Sequence, residues 1–366
     1  HTPEPPRSTA PPTPLGGGGG LIAFESQRAG NLDILVMRPD GSDPRNLTPR
    51  LPAQDYAPAW SPDGRWLAFL SDRADPGRSA DLYVMDAGGE QVRRVTRGAG
   101  LAPPLEWSPE GDRLLARQPV GRALRLFVVN VDGTGQRVRT LESPAAEDEH
   151  DLDAHWSPDG AQIAALRAQA AGLALYVLDG RLDVLQTVAA APGTDVNTFA
   201  WSPDGRRLAY ITSRRDAARA AELHMLEMET GAARLVRRFE GAGGFHGLAW
   251  SPGGRRLAVA GAMSDTSGQQ LCVMWTDGSG LKVITEPPGS HPEARWSPDS
   301  RWLVYAAFLS FPLTPAPELA PGLFAYSYIY AVEVGDLLSR PGEPRPRLLT
   351  SPGQDSSPAW QPSSAP

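Results

Sequence analysis

Four of the six histidines, His150, His155, His246 and His291, stand within a few residues of a following tryptophan, among Asp151, Asp153, Glu293 and Arg295. Imidazoles and carboxylates gathered this way are the raw material of a metal centre or an acid/base pair. The pattern stops short of either, because no tight ligand motif pairs two histidines at a fixed spacing. The simpler reading is a set of polar, hydrated side chains, so no catalytic residue, metal or cofactor is expected. Other catalytic signatures are missing too. There is no Gly-x-Ser-x-Gly elbow and no Cys-x-x-Cys, and the glycine run Gly16–Gly20 follows no strand that would make it a phosphate cradle. Glu147, Asp148 and Glu149, with Asp151 and Asp153, resemble a calcium-binding cluster but read as a solvated loop. The single cysteine, Cys272, lies in an apolar run and reads as a small core residue rather than a reactive thiol.

The tryptophans behind these histidines show which elements must position them. Trp60-Ser61-Pro62-Asp63-Gly64 recurs with small changes from Trp107, Trp156, Trp201, Trp250 and Trp296, and as a degraded copy from Trp360. Seven copies at spacings of 47, 49, 45, 49, 46 and 64 residues match a propeller of four-stranded blades. In each unit an apolar strand A ends in Trp, and proline and glycine set the turn that follows. Strand B is a run such as Trp66–Leu70, strand C one such as Asp81–Met85, and strand D ends in a Leu-Thr pair such as Leu47-Thr48. The chain begins its globular part on a strand B, Leu21–Phe24, and ends on a strand A at Pro358–Trp360. The two must share one blade, which closes the ring without a free sheet edge. The expectation is therefore an all-β, seven-bladed propeller over residues 21–366, behind a Pro/Gly-rich tether at residues 1–20. One tryptophan per blade at one position reads as packing between sheets, not as a sugar-stacking row.

This topology places the Ser-Pro-Asp-Gly and C–D turns on one face, and the B–C loops and D–A connections on the other. The second, more varied loop face is where binding is expected. Strands A line the channel, so the histidines should converge near its mouth. Two segments depart from the repeat. Residues 214–236 have helical propensity where a strand is required, which predicts a weak or frayed strand. The last unit is some 16 residues longer than its neighbours, with the excess at Ala306–Ser327. Phe308, Phe311, Phe324 and Tyr326 make this apolar, proline-stiffened insertion either a rim cover or a partner surface.

The repeats resemble the TolB-like family of WD-type propellers, whose hallmark is this Trp-Ser-Pro-Asp-Gly turn, over residues 21–361. The resemblance implies an extracytoplasmic protein, periplasmic or cell-surface, and the Pro-rich tether is of the kind that follows a lipoprotein cysteine or a membrane helix. It implies a monomeric, non-catalytic scaffold for a protein or peptide partner. Two alternatives stand beside it. Oligogalacturonate lyases resemble this fold and hold manganese with channel His and Gln side chains, to which Gly244-Phe245-His246-Gly247 is similar. The chain is alternatively the sensor domain of a longer membrane protein. A net charge of −7 without a basic block excludes nucleic acid as the expected partner, and no apolar run is long enough to span a membrane.

Overall fold

The computed structural model describes residues 20–49, 52–139, 149–188, 193–215, 220–240, 243–262, 269–285, 294–310, 325–335, 337–338, 344–350 and 355–362. Its strands form seven separate four-stranded antiparallel sheets, and no helix occurs among the described residues. Six sheets follow chain order from strand A to strand D. The seventh joins the C-terminal strand Asp355–Trp360 to Ile22–Ser26, which pairs in turn with Asp33–Met37 and Arg45–Asn46. The closing register sets Ile22 opposite Trp360 and Ser26 opposite Asp355. This blade is blade 1, and the others are numbered along the chain.

Each motif residue has a physical task. In blade 2 the Ser61 hydroxyl donates to the Asp63 carboxylate at 2.6 Å and accepts from the Trp66 amide at 2.9 Å, which fixes the A–B turn. Gly64 takes the left-handed φ of +67° that this turn demands. The indole N–H of five of the seven motif tryptophans crosses to the preceding blade. Trp107, Trp201, Trp250, Trp296 and Trp360 donate to the carbonyls of Ala59, His155, Ala200, Ala249 and Arg295 at 2.9–3.2 Å. Six of the seven rings are buried, Trp360 being half-buried, so the row is inter-sheet packing. The Leu-Thr ending is explained as well. Thr48, Thr96, Thr285 and Thr350 accept the amides of Ile34, Leu82, Leu271 and Ile329 on the neighbouring strand C at 2.9–3.0 Å.

Blades also clamp their own loop ends. Arg28 bonds Ser26 at 2.8 Å and Asp355 at 2.6 Å, and Arg73 repeats the arrangement with Ser71 and Asp55, both at 2.9 Å. At the opposite end the A–B and C–D turns meet, Ala87 donating to the Arg65 carbonyl at 3.0 Å. The C–D turn glycines press against the preceding blade. A Cβ on Gly133 would sit 2.7 Å from the Val95 carbonyl oxygen, at a φ of +89°. Gly133→Ala is expected to cost about 1–3 kcal/mol in urea unfolding. Gly121→Ala, at positive φ but with nothing within 4 Å of its Cβ, should cost clearly less.

Two expectations are corrected. The segment read as weak or frayed is the regular eight-residue strand Ala220–Glu227, paired on both sides. Pairing on two sides overrides local helical propensity. The insertion in the last blade is shorter than Ala306–Ser327. Strands Trp302–Ser310 and Ala325–Glu333 extend the hairpin, with Phe308 opposite Ser327 and Leu309 opposite Tyr326. Residues 311–324, including Phe311 and Phe324, lie outside the described residues.

Candidate functional site: the central channel

The side chain just ahead of each motif tryptophan comes from a strand that lines the channel. Around the ring this position holds Ala59, Glu106, His155, Ala200, Ala249, Arg295 and Ala359. Four alanines leave room, and three ionisable groups fill it. His155 Nδ1 lies 2.9 Å from Glu106 Oε2, and its Nε2 lies 3.4 Å from Asp153 Oδ2. The imidazole is thus held between two carboxylates on two blades, about a third exposed to the channel.

The electrostatics follow from that sandwich. Burial favours a neutral imidazole, but Asp153 and Glu106 outweigh it and raise the His155 pKa well above its ordinary 6.5. Burial likewise opposes ionisation of Asp153, yet His155 and Arg295 hold its pKa at about 2. The raised pKa favours the imidazolium form of His155, in which both ring nitrogens carry protons. Such a histidine has no lone pair for a metal and no vacancy for a substrate proton.

The trio lies where two cavities meet. One, of about 480 Å³, is lined by Trp60, Trp107, Trp250, Trp296, Trp360 and motif prolines such as Pro62 and Pro252, with Glu106, His155 and Arg295. Motif prolines belong to the A–B turns, so this wider part lies towards the turn face. The other, of about 60 Å³, is lined by Asp153, His155, Thr198, Phe199, His246 and Arg295. His155, Pro104, Ala249 and Arg295 border both cavities.

The structure separates residues that the sequence grouped. Asp153, His155, His246 and Arg295 meet at the channel. His150 and Asp151 do not. A register shift between Asp151 and Asp153 changes the side on which the preceding residues fall. Asp151 is buried between blades 3 and 4, accepting from the Leu126 amide at 3.0 Å, Arg167 at 3.2 Å and Arg139 at 3.3 Å. Asp151 thus accepts the strand C amide that a D-strand threonine accepts in blades 1, 2, 6 and 7. His150 accepts the Leu124 amide at 3.4 Å. Their expected place at the channel mouth is therefore wrong: both serve the seam between blades. Glu149, from the acidic stretch, bonds Arg167 at 3.0 Å. His291 and Glu293 lie outside the described residues, as do the side chains of Phe308 and Tyr326. Glu106 was missed, although its place directly ahead of Trp107 matches that of His155 ahead of Trp156. Cys272 is fully buried, and burial pushes its thiol pKa up to about 12. Among the described residues no group of three His, Cys, Asp or Glu side chains is arranged to hold a metal.

Comparison with known proteins settles the family. The sequence profile of the TolB beta propeller domain matches residues 15–194 and 194–308. The chain belongs to the TolB beta propeller domain family. An uncharacterized peptidase of Bacillus subtilis, YuxL, is 31% identical over 174 residues, 46% of this chain and 24% of YuxL. This TolB-type propeller thus spans about a quarter of that relative's length. Among solved structures, TolB from Acinetobacter baumannii is similar at a TM-score of 0.54 and 15% identity, covering 94% of this chain and 67% of that one. An oligogalacturonate lyase from Vibrio parahaemolyticus is similar at a TM-score of 0.62 and 13% identity, covering 78% and 82%. At such identities the two structures share the fold with this TolB-type chain, and the likeness extends no further. No helix among the described residues is long and apolar enough to cross a membrane.

Proposed function

We propose that this TolB-type propeller is a non-catalytic, extracytoplasmic binding scaffold for a protein or peptide partner. The observation that carries this reading is the geometry around His155. Both ring nitrogens of this channel histidine lie against carboxylates, Glu106 at 2.9 Å and Asp153 at 3.4 Å, so neither is open to a metal, which supports a structural rather than a metal-binding part for it. We place the partner at the loop face, on the blade 7 insertion with Phe311 and Phe324 and the hairpin ends that carry Phe308 and Tyr326, beside the channel rim with His246, His291, Glu293 and Arg295. Rigid strands and short turns leave little freedom to specialise, and this insertion is the largest departure from the repeat.

The test has two arms. Replacing residues 311–324 by a short Gly-Ser link spares the paired hairpin strands, so melting should stay nearly unchanged while capture of the partner from envelope extracts is lost. Metal analysis of protein purified without chelator should find no stoichiometric transition metal. About one equivalent of manganese or zinc, lost on substituting His246 and His291, would instead support a lyase-type metal site. The second reading, that the propeller is one part of a longer protein, is favoured by the similarity to a stretch of the longer YuxL. The full-length gene decides it.

A further inference from the structure

The outer strands of the blades are not alike. Strand D has only two residues in blades 1, 2, 3, 6 and 7: Arg45–Asn46, Arg93–Arg94, Arg137–Val138, Lys282–Val283 and Arg347–Leu348. Blade 4 has five, Val184–Val188, and blade 5 has eight, Ala233–Glu240. The cause lies in the sequence. Blades 1, 2, 6 and 7 end strand D with a threonine that caps strand C and turns the chain inward. Blade 5 has Arg237-Arg238-Phe239-Glu240 there, and the chain stays extended beside Ala220–Leu223.

The Ala233–Glu240 strand is the last in its sheet, with a backbone edge that no described strand pairs. One irregularity, around Val236, interrupts its register. Phe239 is buried and holds the strand down, while Leu235 is 44% exposed. The edge also carries a charge opposite to that of the molecule. It has three arginines against one glutamate in a chain of net charge −7. Arg234 is exposed, and the Arg238 side chain is 64% exposed although it reaches Glu222 at 3.0 Å. Arg237 is folded back onto the Gly278 carbonyl at 2.7 Å.

We infer that the outer edge of blade 5, Ala233–Glu240, is a second docking site, which takes an extended acidic peptide segment of a partner as a fifth strand. Backbone pairing supplies the affinity of such strand addition. The register sets Arg234 opposite Met225 and Arg238 opposite Glu222, on opposite faces of the sheet, so acidic side chains on both faces of the segment are selected, while Leu235, on the Arg238 face, offers contact to an apolar one. This site is on the rim, away from the channel and independent of the loop face. The opposing account is that the arginines merely guard a long edge against aggregation, as charged edge residues do.

A fluorescent peptide of repeated Glu-Glu-Val-Val, which carries Glu on both faces of a strand, titrated into the full chain and followed by anisotropy, tests this, with a Lys-Lys-Val-Val peptide as control. Saturable binding of the acidic peptide alone is expected, with slower amide exchange in 233–240 but not in 93–94. Affinity should fall at least about tenfold in R234E/R238E, whose exposed positions leave the fold intact. No saturation by the acidic peptide, equal binding of the control, or unchanged affinity in the double variant would overturn the proposal. So would protection of 233–240 that arises from dimerisation of the free chain in sedimentation, because the occupant would then be a second copy. Aggregation of R234A/R238A without peptide binding by the parent would establish edge guarding alone.

Discussion

Removal of residues 355–366 is expected to abolish cooperative unfolding. The strand Asp355–Trp360 supplies the innermost strand of blade 1, and its loss leaves Ile22–Ser26 as a bare edge facing the channel. Several interactions would go together. Asp355, fully buried, binds Arg28 at 2.6 Å, and Ser356 binds Glu25 at 3.0 Å. The Trp360 indole ties blade 1 to Arg295 of blade 7. Gln361 accepts the Leu21 amide at 2.9 Å through its side chain, and its own amide donates to the Leu21 carbonyl at 2.7 Å. The combined loss is on the order of 5 kcal/mol or more, comparable with the whole stability of an ordinary domain. Calorimetry should show a broadened or absent transition, with aggregation through the open edge. Refolding with a synthetic peptide of residues 355–362 should restore a sharp transition. A truncated chain that melts like the parent would mean that the ring does not depend on this closure.

The second large effect is at His155. His155→Ala removes the cation between Glu106 and Asp153 and leaves two carboxylates facing an empty space. Charge-assisted hydrogen bonds contribute about 1.5–3 kcal/mol when buried. Partial exposure discounts this, so a loss of about 1–3 kcal/mol at pH 6 is expected. The pH dependence has a definite sign. The raised pKa of His155 means its stabilisation is full below about 6.5, the unfolded value. It is lost as pH rises through the folded value. The gap between parent and variant should therefore narrow at alkaline pH. The Asp153 contribution works from the other side, present above its ordinary 3.8 and lost as pH falls towards about 2. Urea unfolding from pH 5 to 10 reads the first window, and nitrogen NMR of the ring reads its protonation directly. A His155 ring that titrates at or below 6.5 would refute the sandwich and reopen acid/base chemistry in the channel.

Much of the fold was legible because a propeller writes its period into the chain. The tryptophan spacing, the turn after it and the Leu-Thr ending each answer to one repeated contact. Seven blades and their closure could be counted from Trp60 to Trp360. What could not be read was orientation within strand A. His150 and Asp151 looked like neighbours of Asp153 and His155, but a one-residue irregularity sends them to different surroundings. Glu106 is marked not by residue type but by position, directly ahead of Trp107 as His155 stands ahead of Trp156. The helical bias of residues 214–236 misled for the opposite reason. Propensity is local, while the strand Ala220–Glu227 is held by partners on both flanks. Repeat spacing alone does not distinguish a longer loop from a longer hairpin, and in blade 7 part of the excess is hairpin.

The indole bonds between blades have a further consequence. Every one runs from a blade to its predecessor, so each blade is a donor on one flank and an acceptor on the other. The ring therefore has a sense of rotation, like a circle of people each with a hand on the shoulder in front. Duplicating or deleting one unit adds or removes a matched donor and acceptor, and no orphan is created at the joint. The indoles of Trp60 and Trp156 find no partner among the described residues. The circle thus loosens its grip at two places, ahead of blade 2 and ahead of blade 4. At the second of these, the Asp151–Arg139–Arg167 cluster stands as a replacement fastening of a different kind.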